Sequence, residues 1–230
     1  MYEQLKKNTV SAENQLKSNK YVRIHNPHGK GLRVLFVGNS ITCHEPAPEV
    51  GWMLDCGMSA SAPEKDYVHQ VMEKVYDKSP DASWGICQVS HWERRYKNGK
   101  EFYLDFLTAR EYDADVIILR LVDNCPLEDF DEEGFKNAYE ALIKYLNPTG
   151  RAGIVLTTGF WKHPGDEVIS QLAGEKGWPL VYLGDLGEMD EMKAIGRFEH
   201  SGVAVHPGDL GMKMIADRIW QKLETFYLGI

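Results

Sequence analysis

No stretch of the chain approaches the roughly 20 consecutive apolar residues that a membrane-spanning helix needs, so no membrane span is expected. Basic residues are in the minority. The 26 Lys and Arg stand against 34 Asp and Glu, a net charge of -8, which argues against nucleic acid as a partner because phosphate binding needs a basic face. Cysteine is scarce and scattered: Cys43, Cys56, Cys87 and Cys125 form no C-x-x-C pair and read as free thiols. Cys43 and Cys125 fall just past predicted strands, so a thiol nucleophile is conceivable there, although no motif supports it. The first seven residues, Met1-Tyr2-Glu3-Gln4-Leu5-Lys6-Lys7, lack the apolar core of an export signal, and a cytoplasmic location is the expectation. Internal repeats, low-complexity tracts and a glycine-rich phosphate cradle are also missing.

What is present is ordinary globular composition, 43% hydrophobic over 230 residues, enough to bury a sizeable core. Residues 1–31 are polar and lysine-rich and read as an N-terminal arm packed on the outside, with a short helix at 12–18 and a short edge strand at 21–24. Residues 32–230 read as the main domain. Apolar runs predict strands at 32–38, 83–89, 115–121, 152–157 and 180–183. Helical periodicity covers 65–78, 102–109, 129–146, 166–173 and 209–226. Regular strand–helix alternation implies an α/β domain, with a mostly parallel sheet covered on both faces. A flavodoxin-like order for its five strands is 2-1-3-4-5. The long connections at 41–64 and 184–208 both follow strands, on the carboxyl side of the sheet where ligands bind in such folds.

The first of these strands ends in Val37-Gly38-Asn39-Ser40, which presents Ser40 at that carboxyl edge. A serine hydroxyl is a weak nucleophile until a base takes its proton, and histidine has the fitting pKa. Among eight histidines, His206 is singled out by Val205-His206-Pro207-Gly208-Asp209, a proline-stiffened turn just before the last helix, with Asp209 expected as its N-cap. The oxyanion of acyl transfer needs donors. The Ser40 backbone amide and the Asn124 side chain, just past the third strand, can supply them if the strand order places the two together. His44, Glu45, His91, Trp92, Trp161, Lys162 and His163 read as pocket walls or surface. Trp52, Met53, Met58, Tyr67 and His69 read as lining of the cleft or as core.

On these residues the chain resembles the SGNH (GDSL) hydrolases. Gly38-Asn39-Ser40 resembles their Gly-Asp-Ser block, Val122-Asp123-Asn124 their Gly-x-Asn block, and His206-Pro207-Gly208-Asp209-x-Gly211 their His-Pro-Asn-Asp-x-Gly block, in the same order over residues 32–226. The resemblance implies a three-layer α/β/α sandwich. It also implies ester hydrolysis through an acyl-serine with no metal or cofactor, on a small-molecule ester such as an O-acetylated carbohydrate. The chain also departs from the pattern. Asn39 replaces the aspartate beside the serine, and Val122 replaces the glycine of the asparagine block. Val203 stands where the family has the acid that orients the histidine, leaving Glu199, Asp185 or a backbone carbonyl for that role. The oxyanion glycine after the second strand is absent, and the amide of Ser90 is the expected substitute. These departures leave open a non-catalytic carbohydrate-binding or scaffold protein on a degenerate hydrolase fold.

Overall fold

Six strands rather than five form one sheet. The computed structural model describes residues 21–228. In it β1 (Val22–His25), β2 (Arg33–Gly38), β3 (Ser83–Gln88), β4 (Val116–Arg120), β5 (Gly153–Thr157) and β6 (Leu180–Val181) lie in the order β1-β3-β2-β4-β5-β6. Without β1 this is the expected 2-1-3-4-5 order, all parallel. The extra strand is antiparallel to β3. Its alternation carries it there: Val22 and Ile24 are buried, while Arg23 and His25 are half-exposed, as suits an edge. So part of the expected arm completes the sheet. Residues 1–20, including the helix expected at 12–18, lie outside the described residues.

The central strands are apolar on both faces because helices cover both. From β2, Leu35 and Val37 point to one core cluster and Val34 and Phe36 to the other, the two-residue period of a strand. The first cluster packs under α2 (Ser90–Arg94), α3 (Leu107–Tyr112), α4 (Glu132–Leu146) and α5 (Gly165–Lys176), and the second under α1 (Tyr67–Lys78) and α7 (Asp209–Leu223). The result is a three-layer α/β/α sandwich. Asp66 and Asp131 cap α1 and α4, accepting from the His69 and Gly134 amides. No helix among the described residues is long and apolar enough to cross a membrane.

Several boundaries differ from expectation. The helix expected at 102–109 is α3, shifted toward the C-terminus, because residues Tyr96–Phe102 form 3-10 turns instead. α7 stops at Leu223 and gives way to a π turn, Glu224–Leu228, in which the Tyr227 hydroxyl binds the Ile154 backbone on β5. Asp209 does not cap α7. Gly208 is the N-cap, and the Asp209 carboxylate accepts from the Ser61 amide and hydroxyl, tying the 41–64 connection to the start of α7. The 184–208 connection contains short turns and a four-residue helix, α6 (Ser201–Ala204).

Candidate active site

β2 delivers Ser40 two residues past its last paired residue. The chain turns there, with the Thr42 and Cys43 amides both donating to the Asn39 carbonyl. Gly38 is needed for the close packing of this turn: a Cβ there would stand 2.0 Å from Thr42 Oγ1 and 2.7 Å from the Arg120 carbonyl. The turn is held by Met58 N–H donating to the Ser40 carbonyl and by the Thr42–Tyr67 hydroxyl pair.

His206 reaches this serine from the other end of the chain. Its carbonyl accepts from Ala194 N–H and its N–H donates to Val203, so the residue is clamped between two parts of the 184–208 connection. Nε2 lies 2.8 Å from Ser40 Oγ, and Nδ1 lies 2.7 Å from the Gly202 carbonyl oxygen. A carbonyl only accepts, so Nδ1 carries the proton, and Nε2 is left as the acceptor for the Ser40 hydroxyl. The orienting group is therefore a backbone carbonyl. Glu199 is exposed and does not fill that role, because α6 places Gly202 beneath the ring. Asp185 is held in a two-pronged pair with Arg218. In serine–histidine sites, loss of the orienting acid costs about 10⁴ in kcat largely through the wrong tautomer. The Gly202 carbonyl enforces the right one. Trp161 stands edge-on to the His206 ring, with centroids 5.2 Å apart. Burial pushes the His206 imidazole down to about 4, against the Gly202 hydrogen bond and the Asp123 charge, which raise it.

Asn124 comes to the same rim, as the strand order requires. One N–H of its side chain donates to Glu93 Oε2 at 2.7 Å, which leaves the second for a ligand. The Ser40 backbone N–H makes no hydrogen bond to protein among the described residues. Ser90 does not supply the expected oxyanion amide. Its N–H and hydroxyl both donate to Gln88 Oε1, at 3.0 and 2.9 Å, because α2 begins there and the glutamine side chain closes its first turn. Ser90 instead lines a cleft of about 230 Å³ with Arg23, His44, His91 and Arg94, whose lining includes neither Ser40 nor His206. The thiols are not nucleophiles either. All four cysteines are buried, and burial pushes Cys43 and Cys56 up to about 12 and raises Cys87 and Cys125 as well. Trp52, Met58 and Tyr67 are core, and His163 is buried with Nε2 on the Cys125 carbonyl.

Sequence reasoning missed a buried charged network beneath these groups. Arg120, fully buried on β4, pairs with Asp123 at 2.9 Å and donates to Asn39 Oδ1. Asn39 Nδ2 donates to Glu93 Oε1 and Asp123 Oδ2, at 3.0 and 3.1 Å. Asp123 Oδ1 accepts from the Phe160 and Trp161 amides, which ties the Trp161 segment to the same cluster. The signal was available: Arg120 is the one charge inside the most apolar strand of the chain, and such a residue is buried only with partners.

No family model matches the sequence, and no curated protein matches it. Solved structures do. The psychrotrophic esterase EstA from Pseudoalteromonas sp. superposes with a TM-score of 0.56 at 14% identity, over 86% of this chain and 99% of that one. A two-domain esterase (CEX) active on acetylated mannans gives 0.55 at 17% identity over 87% of this chain and 50% of that one, so the chain spans about half its length. A protein described as a GDSL-like lipase, from Parabacteroides merdae, gives 0.55 at 17% identity over 83% and 94% of the two chains. At such identities the likeness is one of fold, and the fold of this chain is that of the SGNH (GDSL) esterases and lipases.

Proposed function

We propose that the chain is a serine esterase that hydrolyses small acyl esters through an acyl-serine intermediate, with O-acetylated carbohydrates as its substrate class. The observation that carries this reading is the 2.8 Å contact between Ser40 Oγ and a His206 Nε2 whose tautomer the Gly202 carbonyl fixes. As Ser40 Oγ attacks the ester carbonyl, Nε2 takes its proton. The oxyanion faces the Ser40 N–H and the second N–H of Asn124, donors already oriented before reaction. The imidazolium then protonates the departing alcohol oxygen, and water repeats the sequence on the acyl group. The Gly202 carbonyl and the nearby Asp123 charge favour the imidazolium while it exists. The preference for acetylated sugars is supported by the fold neighbour active on acetylated mannans.

The test is acetate release from acetylated mannan and 4-nitrophenyl acetate, together with intact-mass analysis after fluorophosphonate treatment. Turnover of either ester and a single adduct mapped to Ser40 is the expected result. An unlabelled, inactive protein would leave the fold as a binding scaffold.

The pH dependence follows from the base. Catalysis needs neutral imidazole, and burial, which disfavours the cation, holds His206 down to about 4. The competent form therefore persists far below the pH at which an ordinary histidine charges. The kcat/KM profile, which reports the free enzyme, is expected to stay level from pH 8 to about 5 and to fall to half near 4. A limb centred near 6.5, the usual histidine value, contradicts the assignment of a half-buried, desolvated base.

A further inference from the structure

We propose that Glu93 is the positioning residue of the oxyanion site, and that it carries the negative charge the family pattern would place at position 39. The inference rests on the esterase reading above. Glu93 is fully buried on α2, and every contact of its carboxylate is to a group that shapes the site. Oε2 accepts from Asn124 Nδ2 at 2.7 Å. Oε1 accepts from Asn39 Nδ2 at 3.0 Å and from the Val122 backbone N–H at 2.6 Å.

Each contact has a specific consequence. A carboxamide can turn over, exchanging its oxygen for its nitrogen, and an oxygen facing the oxyanion would repel it. A carboxylate only accepts, so Glu93 holds the Asn124 nitrogen toward itself and directs the second N–H of that nitrogen outward. Val122 has φ = 142°, a conformation costly for a β-branched residue. The Glu93 bond to its N–H holds the backbone from which Asn124 projects. Gly159 and Gly165 leave room for its methyl groups, since a Cβ at either would come within 2.9 or 2.6 Å of them. This accommodates valine where the family pattern has glycine.

The third contact explains Asn39. Its Nδ2 faces two carboxylates, those of Glu93 and Asp123, and its Oδ1 faces Arg120. An aspartate at 39 would put a third carboxylate against two others, with one arginine among them. An amide offers a donor to both acids and an acceptor to the cation. Burial and the Asp123 charge raise the Glu93 carboxyl, while the donors from Asn124, Val122 and Arg120 oppose them.

The test is a double-mutant cycle with Asn124 and a charge exchange with Asn39. Glu93→Gln presents a second amide to Asn124 and is expected to lower kcat about 10- to 100-fold, with KM within twofold, less than the 10²–10³ of losing an oxyanion donor outright. In an Asn124→Ala background the same change is expected to cost less than threefold, because the group it positions is gone. Asn39→Asp alone is expected to be inactive, and Asn39→Asp combined with Glu93→Gln to recover at least tenfold by restoring one charge on the pair. The exchange also keeps the question answerable if Glu93→Gln alone fails to fold. Wild-type kcat in Glu93→Gln, or equal losses with and without Asn124, overturns the proposal. Nitrogen-15 NMR of the Asn124 side-chain amide supplies a readout free of turnover. Its carboxylate-bound proton is expected downfield in the parent protein and shifted upfield in Glu93→Gln, and an unchanged resonance overturns the positioning role. An inactive parent protein with that shift intact counts against the esterase reading alone.

Discussion

Ser40→Ala is expected to lower kcat for 4-nitrophenyl acetate by about 10⁶-fold, the loss typical of removing the nucleophile from a serine–histidine site. The substitution deletes one oxygen whose hydrogen-bond partner is His206 Nε2. The backbone of the turn keeps its bond from Met58, and the Thr42–Tyr67 pair is untouched, so circular dichroism and the melting temperature should match the parent. His206→Ala removes the proposed base and is expected to cost nearly as much. A nucleophile and base that act as one unit, as proposed for Ser40 and His206, make the double variant no slower than Ser40→Ala alone. Residual hydrolysis over water would come from the donors at Ser40 N–H and Asn124. Retained activity in Ser40→Ala would require another nucleophile, and burial keeps all four thiols protonated.

Much of this architecture could be read from residue patterns, for a physical reason. Strands buried on both faces are written as continuous apolar runs, so β2 and β4 and the order around them were legible. Ser40 and Asn124 stand just past recognisable strands and His206 just before a recognisable helix, which is what singles these positions out. What escaped has weaker signatures. α2 has five residues, too few to show a helical period, and it carries Glu93. β1 alternates as an edge strand does, but four residues do not say which neighbour they join. For the group that orients His206 the sequence leaves Glu199, Asp185 or a backbone carbonyl open. The structure answers with a backbone carbonyl on a four-residue helix, and a carbonyl leaves no mark on sequence. Glu93, Arg120 and Asp123 meet from a short helix, a strand and the loop after it, so the approach of Glu93 to the other two is a property of the sheet order and of no local spacing.

The same cluster dictates the largest stability effect. Arg120 is the cation among two carboxylates, Glu93 and Asp123, all buried. Arg120→Met keeps much of the side-chain length and volume, so little cavity forms, but it leaves both acids without a counter-charge. Breaking a buried pair by removing one partner costs about 3–5 kcal/mol, against a total stability for a domain of about 5–15 kcal/mol. For a chain of this size that corresponds to a fall in Tm of roughly 6–20 °C. The deficit should depend on pH in a definite direction. Without Arg120, one of the groups that lowers it, the Glu93 carboxyl is raised further above its unfolded value by burial and the Asp123 charge. A raised acid stabilises the folded state only once protonated, so the variant should recover toward the parent as pH falls and be weakest at pH 7–8. Urea titrations at pH 5 and pH 8, followed by circular dichroism, measure this. A deficit that is equal at both values, or larger at pH 5, would mean that the arginine acts through packing and that the two acids are not its charge partners.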